Sequence, residues 1–279
     1  MNAVFSIGFH QYDGSLSWTG TGFMVMRPIK HDSEKQSYYM ITNKHIVWNQ
    51  KQLVVRFNAL SGDFVNDYIV ELIDSNGNPT YSSHPNSTTD IVAIHIDPDT
   101  LFSEGTVWDS FDLQKNALSL EEMRQTGVDE GSFIYALGFP LGMVEIIKTP
   151  ICRLGCISRV FDSFLKRETE CPTFLVDAQA FPGNSGGPIV NRPESFSIVN
   201  TPANNTSNLI GIVSAYIPYK EALTSLQTGN IRMVQEENTG LTVVHPVDRI
   251  RGVVDIEWNR INAAQAANNY QPRLRPGCP

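Results

Sequence analysis

Short apolar runs separated by turn-forming residues fill the first hundred positions of the chain. The main runs are Val4–Phe9, Phe23–Met26, Tyr38–Thr42, Leu53–Phe57, Tyr68–Ile73 and Ile91–Ile96. Glycine, asparagine and proline stand between them, as at Gly20–Gly22 and Asn76–Pro79. Strands of this length and spacing are typical of β-barrels and β-sandwiches. The pattern therefore predicts an N-terminal β-barrel over residues 1–102.

A second set of apolar runs follows a polar stretch at residues 103–131, which we interpret as a connector. Within it, Ser119-Leu-Glu-Glu122 has the spacing of a capping box, and Gly127 closes a short predicted helix over Leu120–Thr126. Strand-like runs resume at Ser132 and predict a second barrel over residues 132–246. The fold class expected is all-β, with two six-stranded antiparallel β-barrels. Long loops are expected at 27–38, 103–130 and 191–208.

The period of the apolar positions changes after Pro246. Val247, Ile250, Val254, Trp258 and Ile261 recur at helical spacing with charged residues between them. This predicts an amphipathic C-terminal helix over residues 247–270 that packs across a barrel. A helix that binds a partner is the alternative. The tail 271–279 holds three prolines and is expected to be flexible.

The composition excludes several classes of function. The apolar share of 41% and charged share of 18% are ordinary for a globular protein, and the net charge is −8. Because acidic surfaces repel phosphate, no nucleic-acid partner and no membrane partner is expected. A basic leader segment and a run of 18 apolar residues are also missing from the sequence, so we expect a cytoplasmic protein.

Four cysteines are too few for a disulfide framework in a chain of 279 residues. The spacing of Cys152 and Cys156, with Cys171 nearby, raises the alternative of a zinc site. However, Cys152 and Cys156 fall on a predicted strand with no pair of histidines close by. We therefore expect neither a metal nor another cofactor.

The stretch Phe181-Pro-Gly-Asn-Ser-Gly-Gly-Pro188 has the composition of a tight loop rather than of a strand or helix. Such a loop can present one serine hydroxyl and leave backbone N–H groups free. Acyl transfer needs this combination, a nucleophile together with donors for the developing oxyanion. The same residues also form ordinary turns, so the interpretation depends on a histidine and an acid elsewhere.

Three motifs supply these groups in a consistent order. Gly183-Asn-Ser-Gly-Gly-Pro188 resembles the nucleophile loop of trypsin/chymotrypsin-like serine proteases. Ile41-Thr-Asn-Lys-His45 resembles the histidine motif of that family, and Thr89-Asp-Ile-Val-Ala-Ile94 resembles its aspartate motif. The resemblance spans about residues 18–246.

The resemblance assigns roles to individual residues. It implies that Ser185 is the nucleophile, that His45 is the general base, and that Asp90 orients the imidazole. The N–H groups of Gly183 and Ser185 would form the oxyanion hole. The other histidines, including His245, stand outside these motifs and are expected at the surface or in packing.

A further resemblance concerns the substrate. Ile212-Val-Ser-Ala-Tyr216 resembles the family segment that pairs with the substrate as an added strand. This implies a substrate site lined by Gln179, Ala180, Ser214, Ala215 and Tyr216. Gln179 occupies the position where related enzymes select Arg or Lys with an acidic residue, although Asp177 lies only two residues away. We expect a preference for small or medium uncharged residues.

Departures from the secreted enzymes point to one branch of the family. Asn184 replaces the aspartate that pairs with a newly cut N-terminus, and the cysteines do not match the disulfides of secreted members. Asp177-Ala-x-x-x-Pro-Gly-Asn-Ser185 resembles the HtrA/Deg-like branch, here without a PDZ domain. The expected function is a serine endopeptidase acting on proteins or peptides, with a regulatory protein partner. A regulatory or binding module that stays latent until a partner orders its loops is the alternative, and an esterase is a third option.

Overall fold

Two β-sheet units, each built mainly by one half of the chain, make up the molecule. The structure is a computed structural model that describes residues 1–29, 32–62, 64–143, 148–160, 162–163, 173–195, 202–266 and 274–277. The two-unit, all-β fold expected from the sequence is confirmed. No helix within these ranges combines the length and apolar character needed to cross a lipid bilayer.

The first unit is a curved sheet of ten strands with two one-turn helices. Its strands are β1 (Val4–His10), β2 (Leu16–Ile29), β3 (Asp32–Thr42), β4 (Gln52–Ala59), β5 (Val65–Glu71), β6 (Ser82–Ser83), β7 (Val92–Ile96), β8 (Thr106–Val107), β9 (Phe111–Asp112) and β16 (Leu274–Pro276). Its helices are α1 (Lys44–Val47) and α2 (Asp99–Ser103). The main path runs β16-β5-β4-β1-β2-β3-β7-β6, with β8 on β4 and β9 on β2. Hydrogen bonds leave this sheet open, with β16 and β6 at its edges.

The second unit is a closed barrel of six antiparallel strands. They are β10 (Phe133–Gly138), β11 (Ile151–Arg159), β12 (Phe174–Asp177), β13 (Pro188–Asn191), β14 (Leu209–Thr224) and β15 (Ile231–Pro246). The strand order around the barrel is β10-β11-β12-β15-β14-β13. Alternate residues point inward and form one apolar core, which includes Ile134, Val176, Ile189, Ile210 and Val244.

The connector contains the helix that its capping box predicts. Helix α3 spans Leu120–Thr126, and the Ser119 hydroxyl accepts a hydrogen bond from the Glu122 N–H while the Glu122 carboxylate accepts one from the Ser119 N–H. Gly127 ends the helix with a φ of +73°. These contacts are all local in sequence, which is why the sequence pattern located the helix correctly.

Helix α4 spans Val247–Ala266 and packs across both sheets. Its apolar positions, including Val247, Ile250 and Val254, lie in a core cluster shared with residues of both units. On the same helix the carboxylate of Glu257 is fully buried, and it accepts hydrogen bonds from the Ser82 hydroxyl and from the His95 N–H. The predicted last residues of this helix, 267–270, lie outside the described residues.

Two expectations about loops need correction. Leu274–Pro276, in the tail expected to be flexible, forms β16 on the edge of β5, and Leu274 is 4% exposed in the core of the first unit. A backbone edge that would otherwise lack partners explains this ordering. Residues 27–38, expected to form a loop, belong largely to the β2–β3 hairpin.

The strands β14 and β15 continue beyond the barrel as a two-stranded ribbon, here defined as residues 218–238. We did not predict strands in this part of the chain. The ribbon is exposed on both faces, so its side chains do not follow the alternation of a half-buried strand. A turn signal was nevertheless present at Gly229, which has a φ of +68°.

Candidate active site

His45 and Asp90 meet because two paired strands bring their ends together. His45 lies in α1, which follows β3, and Asp90 lies just before β7, with Ile91 between them; Thr42 of β3 pairs with Val92 of β7. The Asp90 Oδ2 atom lies 2.5 Å from the His45 Nδ1 atom, and Asp90 Oδ1 accepts the His45 N–H at 2.9 Å. The Asn43 amide donates to the Asp90 carbonyl at 2.7 Å. These contacts hold the imidazole so that its Nε2 atom is left for other partners.

Ser185 lies in the loop between β12 and β13, which short backbone hydrogen bonds hold in a compact form. The Asn184 N–H donates to the Phe181 carbonyl and the Gly187 N–H to the Asn184 carbonyl, both at 2.9 Å. Gly186 has a φ of +83°, and a Cβ there would lie 2.1 Å from the Thr21 carbonyl oxygen. Only glycine tolerates both the positive φ and the lack of space for a Cβ. A glycine at position 186 therefore allows the loop to pack this closely against the first unit.

Thr21 of strand β2 fastens this loop to the first unit. Its hydroxyl donates to the Gly183 carbonyl at 2.6 Å and accepts the Phe139 N–H at 3.0 Å. Its own N–H donates to the Ser185 carbonyl at 3.0 Å. Thr21 is fully buried and was not among the predicted site residues. The sequence signal for Thr21 is the pair of glycines that flank it, Gly20 and Gly22. The sequence pattern assigns them to a turn, but they lie inside strand β2.

Two backbone donors beside Ser185 remain unused. Within the described residues, the N–H groups of Gly183 and Ser185 have no hydrogen-bond acceptor, although the neighbouring N–H groups do. The Pro182 carbonyl accepts the Leu141 N–H at 2.6 Å, and in a trans peptide the Gly183 N–H points the opposite way. Gly183 has a φ of +96°, and a Cβ there would lie 2.3 Å from the Phe139 carbonyl oxygen. The arrangement suits an oxyanion hole.

Most of the predicted site residues line one cleft of about 390 Å³. It is lined by His45, Asp90, Ala180, Phe181, Pro182, Ser185, Val213, Ser214, Ala215 and Tyr216. The structure thus places the three candidate catalytic side chains beside the predicted substrate-binding segment.

Gln179 is the exception among the predicted substrate-binding residues. It has a φ of +43° and lines a different cavity, of about 400 Å³, together with Asp177 and Asn238. Asp177 is exposed there and does not line the catalytic cleft. Among the residues that line the catalytic cleft, the only carboxylate is that of Asp90, which is engaged with His45.

A third cavity is also lined by His45. It measures about 640 Å³ and is lined by Phe9, His10, Gln11, Tyr12, Thr19, His45, Ile46 and Gln50. His45 is therefore shared by this cavity and by the cleft that contains Ser185.

His245 accepts a hydrogen bond from the backbone of Asp90, although we expected this histidine only in packing or at the surface. It is 3% exposed, and its Nε2 atom accepts the Asp90 N–H at 3.2 Å. Burial lowers the pKa of His245 to about 4, partly offset by the negative charge of Asp90. The imidazole is therefore neutral near pH 7, which leaves Nε2 able to accept. No local motif marks this residue.

The cysteines weighed as zinc ligands are free thiols on strand β11. Cys152 is exposed and Cys156 half-buried. Cys171 lies outside the described residues. Across the rest of the described chain, no group of three or more His, Cys, Asp or Glu side chains is placed to hold a metal ion.

Comparison with the solved structures of AlgW shows a shared fold. A variant of the HtrA-type protease AlgW with a tripeptide is similar at 21% identity and a TM-score of 0.51, over 91% of this chain and 59% of that chain. AlgW with a decapeptide is similar at 18% identity and a TM-score of 0.50, over 94% of this chain and 65% of that chain. The MamO protease domain from Magnetospirillum magneticum has 15% identity and a TM-score of 0.47, over 89% of this chain and 94% of that chain. The chain thus spans less than two thirds of the AlgW chains.

Sequence comparison identifies the family. No curated protein matches the chain. The family model described as trypsin-like peptidase domain matches residues 20–196, a range that includes His45, Asp90 and Ser185. On this match, which covers more than half of its length, the chain belongs to the trypsin-like peptidase domain family.

Proposed function

We propose that the chain is a serine endopeptidase that hydrolyses peptide bonds of protein substrates through an acyl-enzyme on Ser185. The observation that carries the proposal is the cleft in which Ser185 lies beside the His45–Asp90 pair. The N–H groups of Gly183 and Ser185, which have no acceptor within the described residues, belong to the same loop as the Ser185 hydroxyl.

In the proposed mechanism, His45 takes the proton of the Ser185 hydroxyl as the oxygen attacks the substrate carbonyl. Asp90 keeps the His45 Nδ1 atom protonated and stabilises the imidazolium that forms. The Gly183 and Ser185 N–H groups stabilise the oxyanion; loss of one such donor typically costs about 100- to 1000-fold in kcat. His45 then donates its proton to the leaving amine, and water hydrolyses the acyl-enzyme.

The proposed substrates are proteins or peptides with a small or medium uncharged residue at the cleavage site. The half-buried Tyr216 lines the cleft, and Asp177 lies outside it, so the lining offers no carboxylate free to hold a basic side chain. The AlgW structures were solved with peptides, which supports peptide binding to a protein of this fold. A regulatory protein partner and a cytoplasmic location stay predictions.

A fluorophosphonate probe tests the proposed nucleophile. We expect the wild type to be labelled and Ser185→Ala to be unlabelled, because the probe reacts only with an activated serine. Ser61→Ala, which changes an exposed serine in a turn, is the matched control and should label like the wild type. Failure of the wild type to label under any condition would favour the binding-module alternative. Cleavage profiling of a peptide library tests the specificity, and dominant cleavage after Arg or Lys would contradict it.

A further inference from the structure

The ribbon stands clear of the barrel from which it emerges. Strand β14 pairs with β13 only as far as Ile212, and β15 pairs with β12 only over Leu241–Val244. Within the ribbon itself, the two strands pair with each other and with no other described strand. Every residue from Tyr219 to Glu237 is exposed except Ser225, which is half-buried.

The exposed surface of the ribbon is rich in large apolar side chains. These are Tyr219, Leu223, Leu226, Ile231, Met233 and Val234, each at least 51% exposed. Leu223 lies opposite Met233, and Ala222 lies opposite Val234 on the other face. Since an isolated hairpin gains little stability in water, apolar groups on both of its faces indicate a binding surface rather than a folding requirement.

The ribbon continues directly from the walls of the catalytic cleft. Strand β14 runs from Ser214–Tyr216, which line that cleft, into the ribbon, and β15 returns to Asn238–Gly240 beside the cavity of Gln179. A polypeptide seated on Ser214–Tyr216 that stays extended therefore passes along the ribbon. The part of β14 that lies in the ribbon, Pro218–Thr224, is about 20 Å long, which matches about six residues of extended chain.

The chemistry of the site decides which half of the substrate this is. The acyl half stays attached to Ser185 beside Ser214–Tyr216, whereas the amine half receives its proton from His45, which also lines the 640 Å³ cavity. The residues on the N-terminal side of the scissile bond are therefore the ones directed to the ribbon.

Resting on the proposed function, we propose that the ribbon is an exosite that binds an apolar segment on the N-terminal side of the scissile bond. The acidic groups Glu221, Glu236 and Glu237 outnumber the basic groups Lys220 and Arg232 on its strands. An acidic segment is consequently a poorer ligand than an uncharged or basic one.

Peptides of three designs test the exosite. The first fills only the cleft, the second adds eight mostly apolar residues at the N-terminus, and the third adds the same eight at the C-terminus. For the wild type we expect the N-terminal extension to raise kcat/KM by about tenfold or more, mainly through KM, since three buried apolar side chains readily supply that factor. The C-terminal extension should give no comparable gain.

Variants of the ribbon separate its contribution from catalysis. The triple variant Leu223→Ser, Met233→Ser, Val234→Ser should lose the gain from the N-terminal extension while keeping its kcat/KM on the short peptide. The matched control Lys220→Ser, Glu236→Ser removes an exposed ion pair from the same ribbon and should keep the gain. Activity on the short peptide also reports that each variant is folded.

The outcomes distinguish this proposal from the proposed function. Hydrolysis of the short peptide without any gain from the N-terminal extension, or a gain that survives in the triple variant, would overturn the exosite alone. A wild type that hydrolyses no peptide would overturn the peptidase and the exosite together. Light scattering tests self-association. If the wild type is an oligomer and the triple variant is a monomer that keeps the gain from the N-terminal extension, the ribbon binds a second copy instead of substrate.

Discussion

The hydroxyl of Thr21 is one of the groups that hold the loop carrying Ser185 against the first unit. It contacts the Gly183 carbonyl and the Phe139 N–H, two buried groups that have few other ways to be satisfied. The loop's geometry therefore depends on a residue far from it in sequence, and the candidate oxyanion donors depend on the loop.

Replacing Thr21 by valine keeps the shape of the side chain but removes its hydrogen bonds. We expect kcat on a short peptide to fall by about 10- to 100-fold with little change in KM, because the Gly183 donor moves out of place. The free energy of unfolding should fall by about 1–3 kcal/mol, since two buried groups lose their partner. Thr21→Ser should restore most of kcat. An unchanged kcat in Thr21→Val would show that the hydroxyl does not position the loop.

Protonation of His245 makes the stability of the fold depend on pH. Its pKa is about 4 in the folded protein against 6.5 in the unfolded chain, so between these values the unfolded chain binds more protons. The stabilisation is therefore fully present above about pH 6.5 and is lost as the pH falls toward 4. Because the Nε2 atom of His245 also accepts the Asp90 N–H, the same protonation should disturb the His45–Asp90 pair.

His245→Gln should remove this pH dependence while keeping an acceptor for the Asp90 N–H. Between pH 7.5 and pH 5 we expect the wild type to lose about 2 kcal/mol of unfolding free energy relative to the variant, as measured by urea denaturation. His10→Gln, at an exposed histidine, is the control and should follow the wild type. Parallel curves for the wild type and His245→Gln would contradict the assignment.

At the scale of the elements, the loop that carries Ser185 shows why glycines recur in its motif. Gly183 and Gly186 combine positive φ angles with backbone oxygens closer than 2.5 Å to any added Cβ. Both the loop's compactness and its contact with the first unit follow from these two positions. The sequence could therefore predict the loop itself, since its requirements are written into adjacent residues.

The ribbon and strand β16 show where element prediction from this sequence fails. Helix α3 was predicted with its ends because its capping box and closing glycine lie within nine residues. The ribbon has no buried face, and β16 is ordered only because β5 supplies a partner edge. An element whose stability comes from a distant partner, or from a ligand, leaves no periodic signal in its own sequence.

At the scale of the whole molecule, helix α4 ties the two units together. Its apolar face enters the core cluster shared by both units, and Glu257 reaches Ser82 and His95 of the first unit. Arg260 donates to the same carboxylate from the next turn of the helix at 2.8 Å. Relative placement of the units, and so of His45 and Ser185, depends on this helix.

Removing the Glu257 carboxylate should be costly because Arg260, the Ser82 hydroxyl and the His95 N–H all lose a buried acceptor. We expect Glu257→Ala to lower the free energy of unfolding by about 3–5 kcal/mol in urea denaturation. Asp255→Asn is the matched control, since Asp255 pairs with Arg27 from an exposed position on the same helix, and its cost should stay below about 1 kcal/mol. Equal costs for the two variants would show that Glu257 does not anchor the helix.

The amino-acid sequence by itself determined the all-β architecture, the helix α3, and the motifs that carry His45, Asp90 and Ser185. Each of these follows from residues that are neighbours along the chain, where strand ends, turns and caps are specified. Tertiary structure alone decided the roles of Thr21 and His245, whose hydrogen-bond partners lie 162 and 155 residues away. It also decided the course of the ribbon beyond the cleft, because exposure on two faces and contact across the fold are properties that only the folded chain possesses.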